Sequence, residues 1–201
     1  MVMSQISTLP DTELAFLSRM LAKDVKNYHV WSYRQWLVAH FSLWGSSPAS
    51  AELAYVESLL TSDVRNNSAW NHRWFVIFGE TSSRTPIPEE IWEREISFAK
   101  TKISLAPQNQ SAWNYLKGVL KKRGNGTEEL EEFAKQFVDL APEGEVRSSH
   151  ALDFLAELWS QRGDEERIQA GKALELLADT YDPVRKNYWD YRRNLLGLGK
   201  A

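Results

Sequence analysis

Residues Glu13–Trp31 read ELAFLSRMLAKDVKNYHVW, and Glu52–Trp70, 39 positions on, read ELAYVESLLTSDVRNNSAW. The two share Glu-Leu-Ala, a second leucine, Asp-Val, a basic residue, Asn and Trp, with conservative pairs between. Self-similarity at a fixed offset is the mark of a repeat array. A third copy, REISFAKTKISLAPQNQSAW, ends at Trp113, 43 residues after Trp70. The longer spacing falls on SSRTPIPEE (82–90), whose prolines and serines predict an extended turn. The fourth copy is eroded, with Leu152 standing 39 residues after Trp113 where a tryptophan is expected. The fifth, KALELLADTYDPVRKNYWDYRRNLL, brings Trp189 another 37 residues on. The expected units cover about 11–45, 49–80, 88–123, 127–162 and 165–198 of a single domain spanning 1–201.

Each unit reads as two helices. The first helix of unit one carries Leu14, Leu17, Met20 and Leu21 on one stripe, and its counterpart carries Leu53, Val56, Leu59 and Leu60. These helices are expected to start after a proline, at Pro10-Asp11-Thr12, Pro48-Ala49-Ser50 and Pro88-Glu89-Glu90. They end at polar corners, Asp24-Val25-Lys26-Asn27 and Asp63-Val64-Arg65-Asn66. The second helix begins at the tryptophan. In unit one it bears two apolar stripes, Val30/Tyr33/Leu37/Phe41/Trp44 and Trp31/Val38, and so is expected to lie between neighbours. No hairpin buries such faces alone, so the expectation is an all-α, right-handed superhelical array, a crescent of about five antiparallel hairpins.

Composition narrows the function. With 27 acidic and 24 basic residues the net charge is −3, so no broad nucleic-acid footprint is expected. The sequence has no cysteine, which removes disulfides and thiolate metal sites, and four histidines, His29, His40, His72 and His150, with no metal-ligand spacing. No metal ligand is assigned. MVMSQISTLP lacks the basic start and apolar run of a signal peptide, and no stretch approaches the roughly 20 apolar residues of a membrane span. A cytoplasmic protein without membrane insertion is expected. Tetratricopeptide repeats are excluded by period and pattern.

The corner repeats as Asn27-Tyr28-His29-Val30-Trp31-Ser32-Tyr33-Arg34, Asn66-Asn67-Ser68-Ala69-Trp70-Asn71-His72-Arg73 and Asn109-Gln110-Ser111-Ala112-Trp113-Asn114-Tyr115-Leu116. Unit five has Asn187-Tyr188-Trp189-Asp190-Tyr191-Arg192, its Asn two residues closer to the tryptophan. This N-x-x-x-W-x-x-R corner, with KNYHVWSYRQWLV (26–38), DVRNNSAWNHRWFVI (63–77) and NQSAWNYLKGVLKKRG (109–124), resembles the repeat of protein prenyltransferase alpha subunits. The likeness is to the subunit shared by farnesyltransferase and type I geranylgeranyltransferase. Nothing resembling the additions of the Rab-specific subunit is present.

The resemblance implies a crescent around a prenyltransferase beta subunit, which holds the catalytic zinc and most of the isoprenoid pocket. The pair transfers a farnesyl or geranylgeranyl group from its diphosphate to the cysteine of a C-terminal CaaX sequence. Zinc, with or without magnesium, is then a cofactor of the heterodimer and not of this chain. In the family an earlier Lys-Asn-Tyr corner supplies the lysine that meets the departing diphosphate. That corner precedes the Asn-Tyr-His unit and is expected to lie before Met1, so no catalytic residue is assigned here. Lys26 holds the analogous place in the next unit, and His29 stands where a peptide-holding glutamine would. The chain is expected to lack the family's N-terminal repeats and to be inactive alone.

The resemblance places Asn27, Tyr28 and His29 beside the isoprenoid diphosphate, where an imidazole can donate a hydrogen bond as the diphosphate departs. The alternative is that Tyr28 and His29 close the turn and pack on the partner. Trp31, Trp70, Trp113 and Trp189 are expected as core anchors whose indole N–H bonds a neighbouring turn. Arg34, Arg73 and Arg192, three residues past their tryptophans, are expected to reach groups of adjacent repeats such as Asp24 and Asp63. Asn66 and Asn109 read as corner caps. Lys121-Lys122-Arg123 and the acidic run Glu128–Glu132 read as solvated. The competing function is a non-catalytic helical scaffold that binds other proteins.

Overall fold

The computed structural model describes residues 7–44, 47–80, 86–124, 127–141 and 144–197. Of the turn expected at 82–90, residues 82–85 lie outside them. Met1 also lies outside them, and with it the expectation that the family's lysine corner stands before Met1. The fold is all-α. The ten α-helices among the described residues are α1 (Glu13–Lys23), α2 (Tyr28–His40), α3 (Ser47–Ser62), α4 (Asn67–Phe78), α5 (Glu89–Leu105), α6 (Gln110–Arg123), α7 (Thr127–Lys135), α8 (Ser149–Ser160), α9 (Asp164–Leu176) and α10 (Lys186–Leu195). They form two compact units, α1–α4 within residues 1–87 and α5–α10 within 88–201.

In the first unit, α1 and α3 each bury a narrow stripe, Leu17 and Leu21 on one and Val56 and Leu60 on the other. Helix α2 buries Trp31, Arg34, Leu37 and Val38, a face built from both expected stripes plus an arginine. Tyr33 and Phe41 are half-buried, and Trp36 stacks between Tyr33 and His40 at the surface. Helix α3 starts at Ser47, so Pro48 lies inside its first turn and not ahead of it, a place where its missing N–H costs nothing.

The corner geometry follows from the asparagine. Asn27, Asn66 and Asn109 adopt extended backbone (φ −60, −68 and −85°) and turn their side-chain oxygen onto a first-turn N–H. Four residues later the indole N–H reaches back to a corner carbonyl, Trp31 to Val25 at 2.8 Å, Trp70 to Val64 at 2.8 Å and Trp113 to Pro107 at 2.9 Å. Each buried indole thereby satisfies its donor while filling the core.

In the second unit Trp113 is ringed by Phe133, Phe137 and Phe154, with centroids 6.1, 6.0 and 6.1 Å away. The eroded fourth corner keeps the cap and loses the indole: Ser148 accepts from the Ala151 N–H, and Leu152 fills the tryptophan's place fully buried. Ser148 also donates to the Pro107 carbonyl at 2.5 Å, the oxygen that Trp113 uses. An antiparallel bridge, Val138–Val146, leads into α8. Helix α9 ends in a π turn (Leu177–Tyr181) and a 3-10 turn (Pro183–Arg185), since Pro183 cannot extend a helix.

The fifth corner departs from the others, and the expectations for the acidic and basic runs are corrected. Asn187 is no cap: the turn ending at Arg185 sets the α10 start, and Asn187 sits inside its first turn with no cap bond. The Trp189 indole therefore finds the Asp182 carboxylate, at 3.0 Å. The acidic run is not a uniformly solvated face, because Glu131 is buried and bound by Trp159 (2.9 Å), Lys135 (2.9 Å) and Arg162 (2.6 Å). The side chains of Glu128 and Glu129 lie outside the described residues. Lys121 and Lys122 are exposed, but Arg123 pairs with Glu89, tying the end of α6 to the start of α5.

Candidate functional site

The corner that opens α2 is a small polar platform. The Asn27 N–H donates to the Asp24 carbonyl (3.1 Å), the Asn27 carboxamide oxygen accepts from the Val30 N–H (3.2 Å), and the Asp24 carboxylate accepts from the Lys26 N–H (3.2 Å). Asn27 is thus committed to the turn. Tyr28 is 75% exposed, His29 is exposed, and their rings meet edge-to-face at 5.6 Å. Helix α2 has no acidic residue in its first turn, as is also true of α4, α6, α8 and α10, whereas α5 carries Glu89 and Glu90 there and α9 carries Asp164, Glu165 and Glu166. Around the α2 N-terminus stand a phenol, an imidazole and the exposed Lys26, with the Asp24 carboxylate bound to the Lys26 N–H.

The other Lys-Asn-Tyr string contrasts with it. Lys186 is held by Asp179 (2.6 Å) and Asp190 (3.5 Å), and Tyr188 leans on Trp189. Lys26 has no ion pair among the described residues.

Behind the α2 corner lies a buried charge network. Arg34 donates from Nε and Nη2 to both oxygens of Glu52 at 2.6 Å each, and from Nη1 to Ser18 at 3.1 Å. His72 adds a third bond to Glu52, at 2.9 Å. Exposures of 2% for Arg34, 1% for Glu52 and 0% for His72 put all three out of water. Burial alone would raise the Glu52 pKa, but the bonds from His72 and Arg34 outweigh it and hold the carboxyl below its ordinary range. Burial lowers the His72 pKa by more than Glu52 raises it. The imidazole is therefore neutral, carries its proton on Nε2 toward the carboxylate, and leaves Nδ1 buried without a hydrogen-bond partner.

The arginines find glutamates and an aspartate, and not the predicted Asp24 and Asp63, which cap their own turns through the N–H groups of Lys26 and Arg65. Arg73 lies 3.9 Å from Glu57, and Arg192 pairs with Asp153, itself 3.0 Å from Lys117. The glutamates escaped sequence reasoning. Yet Glu13, Glu52 and Glu95 all stand 18 residues before a tryptophan, and each accepts from the residue two past it: Tyr33 at 3.0 Å, His72 at 2.9 Å and Tyr115 at 2.7 Å. The repeated Glu was the available signal.

Residues 10–41, 49–79 and 92–123 match the profile described as "Protein prenyltransferase alpha subunit repeat". The protein farnesyltransferase/geranylgeranyltransferase type-1 subunit alpha of Candida albicans is 40% identical over 183 residues, 91% of this chain and 57% of that protein. The chain belongs to the protein prenyltransferase alpha subunit family. The Dictyostelium discoideum subunit of the same name is 36% identical over 188 residues, 92% of this chain and 44% of that protein. Among solved structures, a chain of the Candida albicans protein geranylgeranyltransferase-I complexed with GGPP superposes with a TM-score of 0.86 at 38% identity, over 98% of this chain and 62% of that one. This alpha-subunit chain thus spans about half the length of the curated relatives it matches. Among its described residues no helix is long and apolar enough to cross a membrane, and no group of three His, Cys, Asp or Glu side chains could hold a metal.

Proposed function

We propose that the chain is part of the alpha subunit of a heterodimeric CaaX protein prenyltransferase, acting in the cytoplasm with a beta subunit. The enzyme transfers farnesyl or geranylgeranyl from its diphosphate to a C-terminal CaaX cysteine. The observation that supports this most is the superposition on a geranylgeranyltransferase-I chain over 98% of the length at 38% identity. Zinc is assigned to the beta subunit, since among the described residues of this chain no group of three His, Cys, Asp or Glu side chains could hold it.

Within that enzyme the Asn27-Tyr28-His29 corner lies beside the isoprenoid diphosphate. Asn27 shapes the turn. The Tyr28 hydroxyl and His29 imidazole donate to the leaving diphosphate, aided by the α2 N-terminus. Donors aimed at charge that grows in the transition state lower the barrier more than they tighten substrate binding.

The test is co-expression with a Candida albicans beta subunit, with the chain alone and with the chain joined to the part of the Candida albicans alpha subunit outside the match. The joined form is expected to assemble and to transfer label from farnesyl or geranylgeranyl diphosphate to a CaaX peptide, and the chain alone to be inactive. Failure of the joined form to assemble sinks the proposal. In the complex, His29→Ala is expected to slow transfer more than it weakens assembly; assembly loss with an unchanged rate per complex would favour simple packing.

A further inference from the structure

The geometry points to Glu52 as a positioning residue for prenyl transfer, whose carboxylate keys α2 to α4 and so holds the Tyr28-His29 corner against the diphosphate. The inference rests on the corner's proposed place in the enzyme. It starts from how loosely the two side chains are held. Tyr28 and His29 are exposed, and among the described residues the ring contact of each is with the other. Their position is therefore that of the α2 backbone.

Two sets of contacts fix that backbone, and they do different things. The Asn27 cap and the Trp31-to-Val25 bond join residues of one hairpin, so they set the shape of the corner. They do not set where it stands relative to the next hairpin. That task falls to the face one and two turns further along α2. There the Trp31 ring meets His72 of α4 at 5.1 Å, and Arg34 enters Glu52 of α3 in bidentate fashion. Glu52 in turn accepts a hydrogen bond from the His72 Nε2–H, so one carboxylate joins α2, α3 and α4.

The arrangement is stiff for physical reasons. A planar guanidinium forked onto a carboxylate fixes orientation as well as distance. At 2% and 1% exposure neither group can fall back on water if the pair separates. The corresponding glutamate of the first hairpin, Glu13, is partly exposed and is bonded by Tyr33 without an arginine. Glu95, the third, is buried and bonded by Arg94 of its own helix, so what sets Glu52 apart is that its guanidinium comes from the preceding hairpin. A displacement of about 1 Å at a reacting group can lower a rate about 100-fold. Because a glutamine keeps part of the link, roughly 10-fold is the expected scale for a conservative change at Glu52.

The experiment uses the complete heterodimer, with radiolabelled farnesyl diphosphate and, in parallel, geranylgeranyl diphosphate, and a CaaX peptide. Glu52→Gln and His72→Leu are expected to lower kcat roughly 10-fold per assembled complex while KM for the peptide stays within about twofold. His72→Gln, whose amide nitrogen can donate from the place of Nε2, is expected to recover most of the rate. Glu52→Gln added to His29→Ala is expected to slow transfer little beyond His29→Ala alone, since both act through one corner. Full multiplication of the two effects, or an unchanged kcat per complex with less heterodimer, overturns the inference and leaves the corner's role standing. An inert His29→Ala sinks both. If Glu52→Gln does not assemble, the contrast between His72→Leu and His72→Gln decides.

Discussion

Replacing Glu131 by Gln tests how much a single buried charge contributes to the second compact unit. The carboxylate of Glu131 on α7 accepts from the Trp159 indole (2.9 Å) and pairs with Lys135 (2.9 Å) and Arg162 (2.6 Å). Burial raises its pKa, but the bonds from Trp159, Lys135 and Arg162 prevail and bring it from 4.5 to about 2. At about 1.36 kcal/mol per tenfold change in acidity, that difference corresponds to about 3.4 kcal/mol of preference for the charged form in the folded state. The partners are partly in water, with Lys135 44% and Arg162 31% exposed, so solvent screening reduces the figure. About 2 kcal/mol is the expected loss at pH 7. Glutamine keeps the acceptor for Trp159, so the change reports on charge and not on a cavity. The sign is fixed by linkage. A carboxyl depressed on folding contributes its full stabilisation above pH 4.5 and loses it as the pH falls toward about 2. Urea unfolding at pH 7, 5, 4 and 3.5, followed by circular dichroism, is expected to show the two proteins converging as pH drops. A Glu131→Gln penalty below about 0.5 kcal/mol at pH 7, or one that does not shrink in acid, would falsify the reasoning.

The repeated corner allows internal controls. Asn66→Ala is expected to cost about 1–2 kcal/mol in urea unfolding, because Asn66 is a buried cap, whereas Asn187→Ala is expected to fall within about 0.5 kcal/mol. Trp113→Ala is expected to cost about 3–5 kcal/mol, against about 1 kcal/mol or less for Trp36→Ala, whose ring stacks at the surface. Gly124 caps α6 at φ 85°, and Gly124→Ala is expected to cost about 1 kcal/mol. Burial lowers the pKa of His72 below 6.5, so the unfolded chain binds the extra proton and stability falls as pH drops through 6.5. His72→Gln is expected to flatten the midpoint-versus-pH curve between pH 7 and 5; an unchanged slope would assign the effect to another group such as His150, also lowered by burial.

The 39-residue offset carried the helical fold because Trp31 and Trp70 recur with their corners intact, and a recurring side chain implies a recurring environment. Where the copies diverge, sequence lost its grip. Asn187 kept its residue type but moved two positions, and capping depends on register, so it lies inside a helix. Glu131 looked like its acidic neighbours, yet partners 28 and 31 residues away, Trp159 and Arg162, draw it inside. The arginines were placed on the right helical face, but a long side chain reaches several carboxylates, and only packing selects Glu52 over Asp24. At the corner, the sequence brought Tyr28 and His29 together, while the neutral state of His72 behind them needed three-dimensional contacts.

The links along this repeat do not all respect its boundaries. Glu13-to-Tyr33 closes within one hairpin, while Arg34-to-Glu52 crosses into the next. A cut after α2, at the natural edge of the sequence repeat, would strand a buried guanidinium with its carboxylate on the discarded piece. A fragment ending after α3 would keep the pair together. At this boundary a junction placed half a repeat out of phase with the tryptophans therefore keeps the buried ion pair whole, at the cost of parting Glu52 from His72 of α4.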